Sequence, residues 1–324
     1  MNNFDFLANL HKKAELCAKK SDEMINFFVI PFFFAAGFLA RKSNILPSNT
    51  PKKINQWILN IALPAVSMLY VPKIQFSVGV IFPLLLSPII LVFAFAFFFA
   101  LKKFISIDRK LLACLILVCG LGNTSFVGFP ITDAFYGAEG MKTAIMTDQG
   151  SFFALSFIGV PFAMIMSDGK IRIRAVLRRI LFFPPFIAFV LSLILRDFFA
   201  PFIEQSESIL RLIASTLSPA ALFSVGFVLN LRVQNFHRTL VAAGLLCKLI
   251  LSPLLILTLY LVFFGEIDLQ GKVSVSQAAM PCMITASVIA GEYDLAPETA
   301  AFLAGVSILL AFPLIFLLNG IFLN

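Results

Sequence analysis

From Gly120 to Tyr136 the chain reads Gly-Leu-Gly-Asn-Thr-Ser-Phe-Val-Gly-Phe-Pro-Ile-Thr-Asp-Ala-Phe-Tyr, directly after an apolar run from Leu111 to Val118. The run predicts a helix inside a membrane, and the stretch that follows cannot continue it. Three glycines, the polar triplet Asn123-Thr124-Ser125 and Pro130 leave backbone groups without helical partners. Lipid offers such groups nothing, so the interruption has to lie against protein or water. Unwound, polar helix centres of this kind are what secondary transporters use to hold a solute near the bilayer midplane.

Composition places that interruption in context. The chain has 324 residues, of which 60% are hydrophobic and 13% charged, with 39 Phe, whereas a soluble domain has roughly 25% charged residues. Apolar runs of about 20 residues recur along the whole length, leaving no room for a soluble catalytic domain. The net charge of +8 sits in short clusters between apolar runs, which is a topology signal rather than a nucleic-acid surface. Five cysteines, Cys17, Cys114, Cys119, Cys247 and Cys282, show no metal-ligand spacing and read as packing residues.

The pattern predicts an all-α membrane protein of ten transmembrane helices. Residues 1–24 form an N-terminal tail whose apolar stripe suits an interfacial helix. Five spans occupy residues 25–167, at about Ile25–Ala40, Ile54–Val71, Val78–Leu101, Lys110–Phe135 and Thr143–Met166. A basic loop covers residues 168–179. Five further spans occupy residues 180–324, at about Ile180–Leu195, Ile209–Leu229, Thr239–Phe264, Val273–Gly291 and Thr299–Phe322.

The two halves match locally. Leu86-Ser87-Pro88 answers Leu251-Ser252-Pro253, Leu63-Pro64-Ala65 answers Ser218-Pro219-Ala220, and Pro130 in the broken fourth span answers Pro281 in an equally interrupted ninth. Similar offsets in the same order predict an internal repeat. Five spans per copy is an odd number, so the second copy enters from the opposite side and the repeat is inverted. The odd-numbered loops carry fifteen Lys and Arg against four in the even-numbered ones. That bias places the basic loop in the cytoplasm and both termini outside.

Asn123-Thr124 through Pro130 and Phe135-Tyr136-Gly137 resemble the broken fourth span of the auxin efflux carrier family, which includes bacterial malate and malonate permease-like proteins and the plant PIN-type carriers. Asn60 to Pro64, Asp148-Gln149-Gly150, Lys248 with Pro253, and Met280-Pro281 are similar to its other signposts. The resemblance runs from about residue 25 to the C-terminus. It implies crossing broken helices 4 and 9, a scaffold beside a moving transport domain, a homodimer, and movement of organic anions across a bacterial plasma membrane.

The residues then sort by role. Asn123, Thr124 and Ser125 either bind solute or only cap a frayed helix. Pro130 and Pro281 mark where the broken spans restart, while Asn60 and Gln277 are further solute-contact candidates. Asp148 and Lys248, acid and base within apolar runs, suit ion coupling or a charge pair. A resident cofactor is not expected, only H+ or Na+ as a coupling ion, and the partners are a small organic anion and the bilayer. A channel and an intramembrane hydrolase are the competing classes. The second is disfavoured, because the only histidines are His11 in the tail and His237 at a loop edge.

Overall fold

A computed structural model describes residues 30–74, 78–194, 196–229 and 238–323; the interfacial helix expected in the tail falls outside them. The described residues are almost wholly helical. Helix α1 covers 30–42. It is followed by α2 (Thr50–Lys73), α3 (Ile81–Leu101), α4 (Arg109–Gly120) and α5 (Thr124–Asp168). Helices α6 (Ile173–Leu181), α7 (Pro184–Ile194), α8 (Arg196–Ser215) and α9 (Leu217–Val228) come next. The chain closes with α10 (Arg238–Phe264), α11 (Leu269–Ala278), α12 (Ile284–Glu292) and α13 (Pro297–Leu323).

Six continuous helices among the described residues are long and apolar enough to cross a bilayer, and α6 and α7, bent by 59° to each other, reach that length only when taken as one span. Helix α5, at 45 residues, would measure about 68 Å if straight, twice the hydrocarbon core. Gly137 divides it into two arms, with a φ of 58° that a side chain would disfavour.

Four prolines share one local arrangement, whereas Pro88 of α3 and Pro313 of α13 lie in α-helix without it. The four π turns among the described residues, Ile58–Ala62, Thr124–Gly128, Ala154–Gly159 and Cys247–Leu251, are followed, each after one intervening residue, by Pro64, Pro130, Pro161 and Pro253 respectively. Proline lacks an N–H, and its ring clashes with the carbonyl four residues back. A wider turn just before it carries that carbonyl away, so the helix continues through the proline instead of ending.

The two half-helices that lead into the interruptions start alike. Asp108 caps α4, accepting from the amides of Lys110 (2.9 Å) and Leu111 (3.0 Å). Asp268 caps α11, accepting from the Gly271 amide at 2.8 Å and from the Tyr260 hydroxyl at 2.6 Å. Each cap satisfies orphan N–H groups of a first turn. Every residue of α4 from Leu111 to Gly120 is buried, as expected of a helix apolar on all sides. It lies among α3, α10, α12 and α13. Four described cysteines, Cys114, Cys119, Cys247 and Cys282, are buried free thiols, in keeping with packing roles.

Glycine brings α1 and α9 into backbone contact. A Cβ at Gly37 would fall 2.0 Å from the Phe223 carbonyl oxygen, and one at Gly226 would fall 2.1 Å from that of Phe34. Small residues commonly permit such close crossings in membranes.

Local detail departs from the sequence expectation in two places. Within the Gly120–Tyr136 stretch the interruption covers only Leu121–Asn123, because the π turn lets helix resume at Thr124. Pro130 therefore stands inside a running helix, while Pro281 lies in the second interruption, ahead of the restart at Ile284. Within the stretch read as a basic loop, Ile173–Leu181 is helical.

Candidate functional site

The interruptions after α4 and α11 lie against each other. Gly122 and Cys282 face one another in an antiparallel bridge. The Asn123 amide donates to the Pro281 carbonyl at 2.8 Å, and the Met283 amide donates to the Leu121 carbonyl at 3.0 Å. Non-helical backbone is thus satisfied within the protein, as the membrane requires. The Ser307 hydroxyl of α13 accepts from the Cys282 amide at 3.0 Å.

Asn123 occupies the N-cap of α5, its Oδ1 accepting from the Phe126 amide at 3.3 Å. The residue is buried, and its Nδ2 has no partner among the described residues. An unpartnered buried amide is costly, and Nδ2 shares that state with Gln149 Oε1, Gln277 Oε1 and the hydroxyls of Ser156, Ser192 and Ser274. Thr124 and Ser125, by contrast, have partners. The Thr124 hydroxyl donates to Asp148 Oδ1 at 2.6 Å, and the Ser125 hydroxyl donates to the same oxygen.

Asp148 belongs to the second arm of α5 and is 8% exposed. One helical turn further on, Ser151 lies 3.3 Å from the Thr124 hydroxyl and shares a hydrogen bond with Ser87 of α3. A chain of hydroxyls thus joins the first interruption, the carboxylate and α3. Ser151 and Ser87 were not singled out in the sequence as site residues. The signal for Ser151 was its i,i+3 spacing from Asp148, which puts both on one helix face; Ser87 needed the packing of α3.

Lys248 is fully buried on the π turn of α10. Its Nζ donates to the carbonyl of Ala278, the last residue of α11, at 2.9 Å. The lysine therefore neutralises the negative end of that half-helix. It makes no ion pair with Asp148 or with any other described acid. A Cβ at Gly122 would stand 3.1 Å from Nζ, so the ammonium sits immediately behind the crossing.

Gln277 of α11 is also buried, its Nε2 donating to Thr132 Oγ1 of α5 at 2.9 Å while Oε1 has no described partner. It rests on Gly128, where a Cβ would come within 2.3 Å of Oε1. Asn60 is not brought into this network. It stays exposed on the π turn of α2 without a described hydrogen bond. On that helix it is Asn55 that is engaged, by the Ser224 hydroxyl at 2.6 Å.

Beside the first arm of α5, a cavity of about 290 Å³ opens between α2, α5, α8 and α9. Tyr70, Phe129, Asp133, Met141 and Arg211 are among its walls.

Comparison with known proteins places these features. A family model described as membrane transport protein matches residues 22–318. An uncharacterized transporter of Methanothermobacter thermautotrophicus is 27% identical over 270 residues, covering 80% of this chain and 85% of that protein. One from Methanocaldococcus jannaschii is 26% identical over 282 residues, covering 82% and 88%. With apolar helices throughout and a match over nearly its whole length, this multi-pass membrane chain belongs to the auxin efflux carrier family of membrane transport proteins.

Proposed function

We propose that this transporter carries a small organic anion by alternating access, on a frame of ten spans in two inverted five-span repeats. The observation that carries the reading is a buried donor left without a described partner at the crossing. Asn123 Nδ2 is buried and free, beside the start of α5 and opposite the interruption from which α12 restarts. Helix N-termini present unpaired N–H groups and partial positive charge. Lys248 adds a full positive charge from behind. The acid of the site, Asp148, is engaged by the Thr124 and Ser125 hydroxyls and is the group available to couple H+ or Na+ to movement.

Helix length supports that span count. Helices α4 and α11 have 12 and 10 residues, and about 20 are needed to cross. Each therefore completes a span only with the segment that resumes after its interruption. The two arms of α5 then belong to successive spans, and the total reaches ten. In this frame the cavity beside Phe129 is the outer approach to the crossing, between a scaffold of α1, α2, α7, α8 and α9 and the moving broken helices.

The test is transport by purified protein in liposomes, challenged with a panel of small carboxylates under imposed H+ and Na+ gradients. Asn123→Asp keeps the acceptor that caps Phe126 but replaces the donor with a negative oxygen. We expect it to weaken carboxylate uptake about ten- to a hundredfold, the worth of a charge-assisted hydrogen bond, in protein that is still folded. Transport confined to cations or neutral solutes, with affinity unmoved by Asn123→Asp, would overturn the anion site. Unitary currents in a bilayer recording would replace the carrier with a channel.

A further inference from the structure

Helix α6 is built in three sectors. Val176 and Ile180 are buried against the protein. Ile173, Leu177 and Leu181 are 67%, 48% and 61% exposed. At 100° per residue these two sets form one continuous apolar arc of about 140°, of which the protein covers only half. Arg174 and Arg178 lie on the next sector, directly beside the uncovered half. The exposed apolar surface continues into Phe182 and along α7 at Ile187, Leu191 and Ile194, on a helix set at 59° to α6.

Water is a poor cover for three large aliphatic side chains in a row. The surface they continue belongs to α7, whose eleven residues carry no charge. An apolar sector merging with a lipid-facing helix and edged by arginines matches acyl chain below and phosphate above. We propose that α6 lies in the membrane interface and binds anionic lipid headgroups, with Ile173, Leu177 and Leu181 in the acyl region and Arg174 and Arg178 on the phosphates. Its position between the two halves of the chain makes it a place where lipid charge can bear on transport.

The experiment uses the full chain carrying Trp57→Phe, which removes the only tryptophan, and Leu177→Trp as reporter. It is reconstituted in phosphatidylcholine vesicles containing equal small fractions of brominated phosphatidylcholine or brominated phosphatidylglycerol. We expect both to quench the reporter, and the anionic lipid to quench more strongly, since each arginine near the surface favours an anionic lipid about fivefold. Arg174→Gln with Arg178→Gln should equalise the two lipids, whereas Arg174→Lys with Arg178→Lys should keep the difference. Raising sodium chloride should shrink it in the arginine-bearing protein, a readout that needs no variant at those positions. Quenching by aqueous iodide instead of either bromolipid, as for a face covered by a protein partner or left in water, would overturn the proposal. So would equal quenching by the two lipids, or a preference that survives the glutamine pair or high salt.

Discussion

Lys248 Nζ lies 2.9 Å from the carbonyl oxygen of Ala278, so the buried ammonium is spent on the end of a half-helix rather than on an acid. One carbonyl is thin compensation for it. Taking an ammonium out of water costs several kcal/mol even after relaxation, while a hydrogen bond to a charged group returns about 1.5–3 kcal/mol.

That imbalance yields the first prediction. Lys248→Met, close in volume and uncharged, relieves more desolvation than it forfeits in hydrogen bonding, and should unfold in detergent at a temperature no lower than the parent. Anion uptake in proteoliposomes should nevertheless fall about tenfold or more, through loss of positive potential at the crossing. A large drop in unfolding temperature with uptake intact would make the lysine purely structural.

Asp148 supplies the second. Asn at this position keeps an acceptor for the Thr124 and Ser125 hydroxyls but can no longer change charge. Asp148→Asn should remain folded and exchange solute across the membrane, yet lose accumulation driven by an imposed ion gradient. Gradient-driven accumulation at the parent level would remove Asp148 from the coupling mechanism.

Gly128 and Gln277 should behave as a coupled pair, since a Cβ at Gly128 would approach Gln277 Oε1 to 2.3 Å. Gly128→Ala displaces the glutamine amide and breaks its bond to Thr132. With Gln277→Ala also present that clash disappears. Thermal unfolding of the four proteins should give a coupling energy of about 1 kcal/mol or more, and strict additivity would show that the two do not meet.

The contact between α1 and α9 is harder to relieve, because the opposing atoms are backbone. Gly226→Ala should cost about 1–3 kcal/mol as the helices separate and lower the unfolding temperature. Gly320→Ala, on α13 with open space around the new methyl, is the control and should be neutral or slightly stabilising.

What the sequence determined by itself was local chemistry. Apolar run length assigns the chain to a membrane, and the Gly, Pro and Asn-Thr-Ser clusters locate both interruptions, because a residue without an N–H or a Cβ weakens its own helix wherever the chain goes. Four π turns ahead of four prolines answer to the same local cause. Partnership was a different matter. Asp148 meets Thr124 and Ser125, Lys248 meets Ala278, and Gly122 faces Cys282, and each choice depends on how separate helices cross. The helical state of Ile173–Leu181 belongs here too, since its arginines read as a charged loop until packing supplies a floor for Val176 and Ile180. Charge and hydrogen-bonding capacity are carried by single residues, but their satisfaction inside a bilayer is decided between elements. Only the tertiary structure could distinguish the donor left free at Asn123 from the hydroxyls beside it that are already taken.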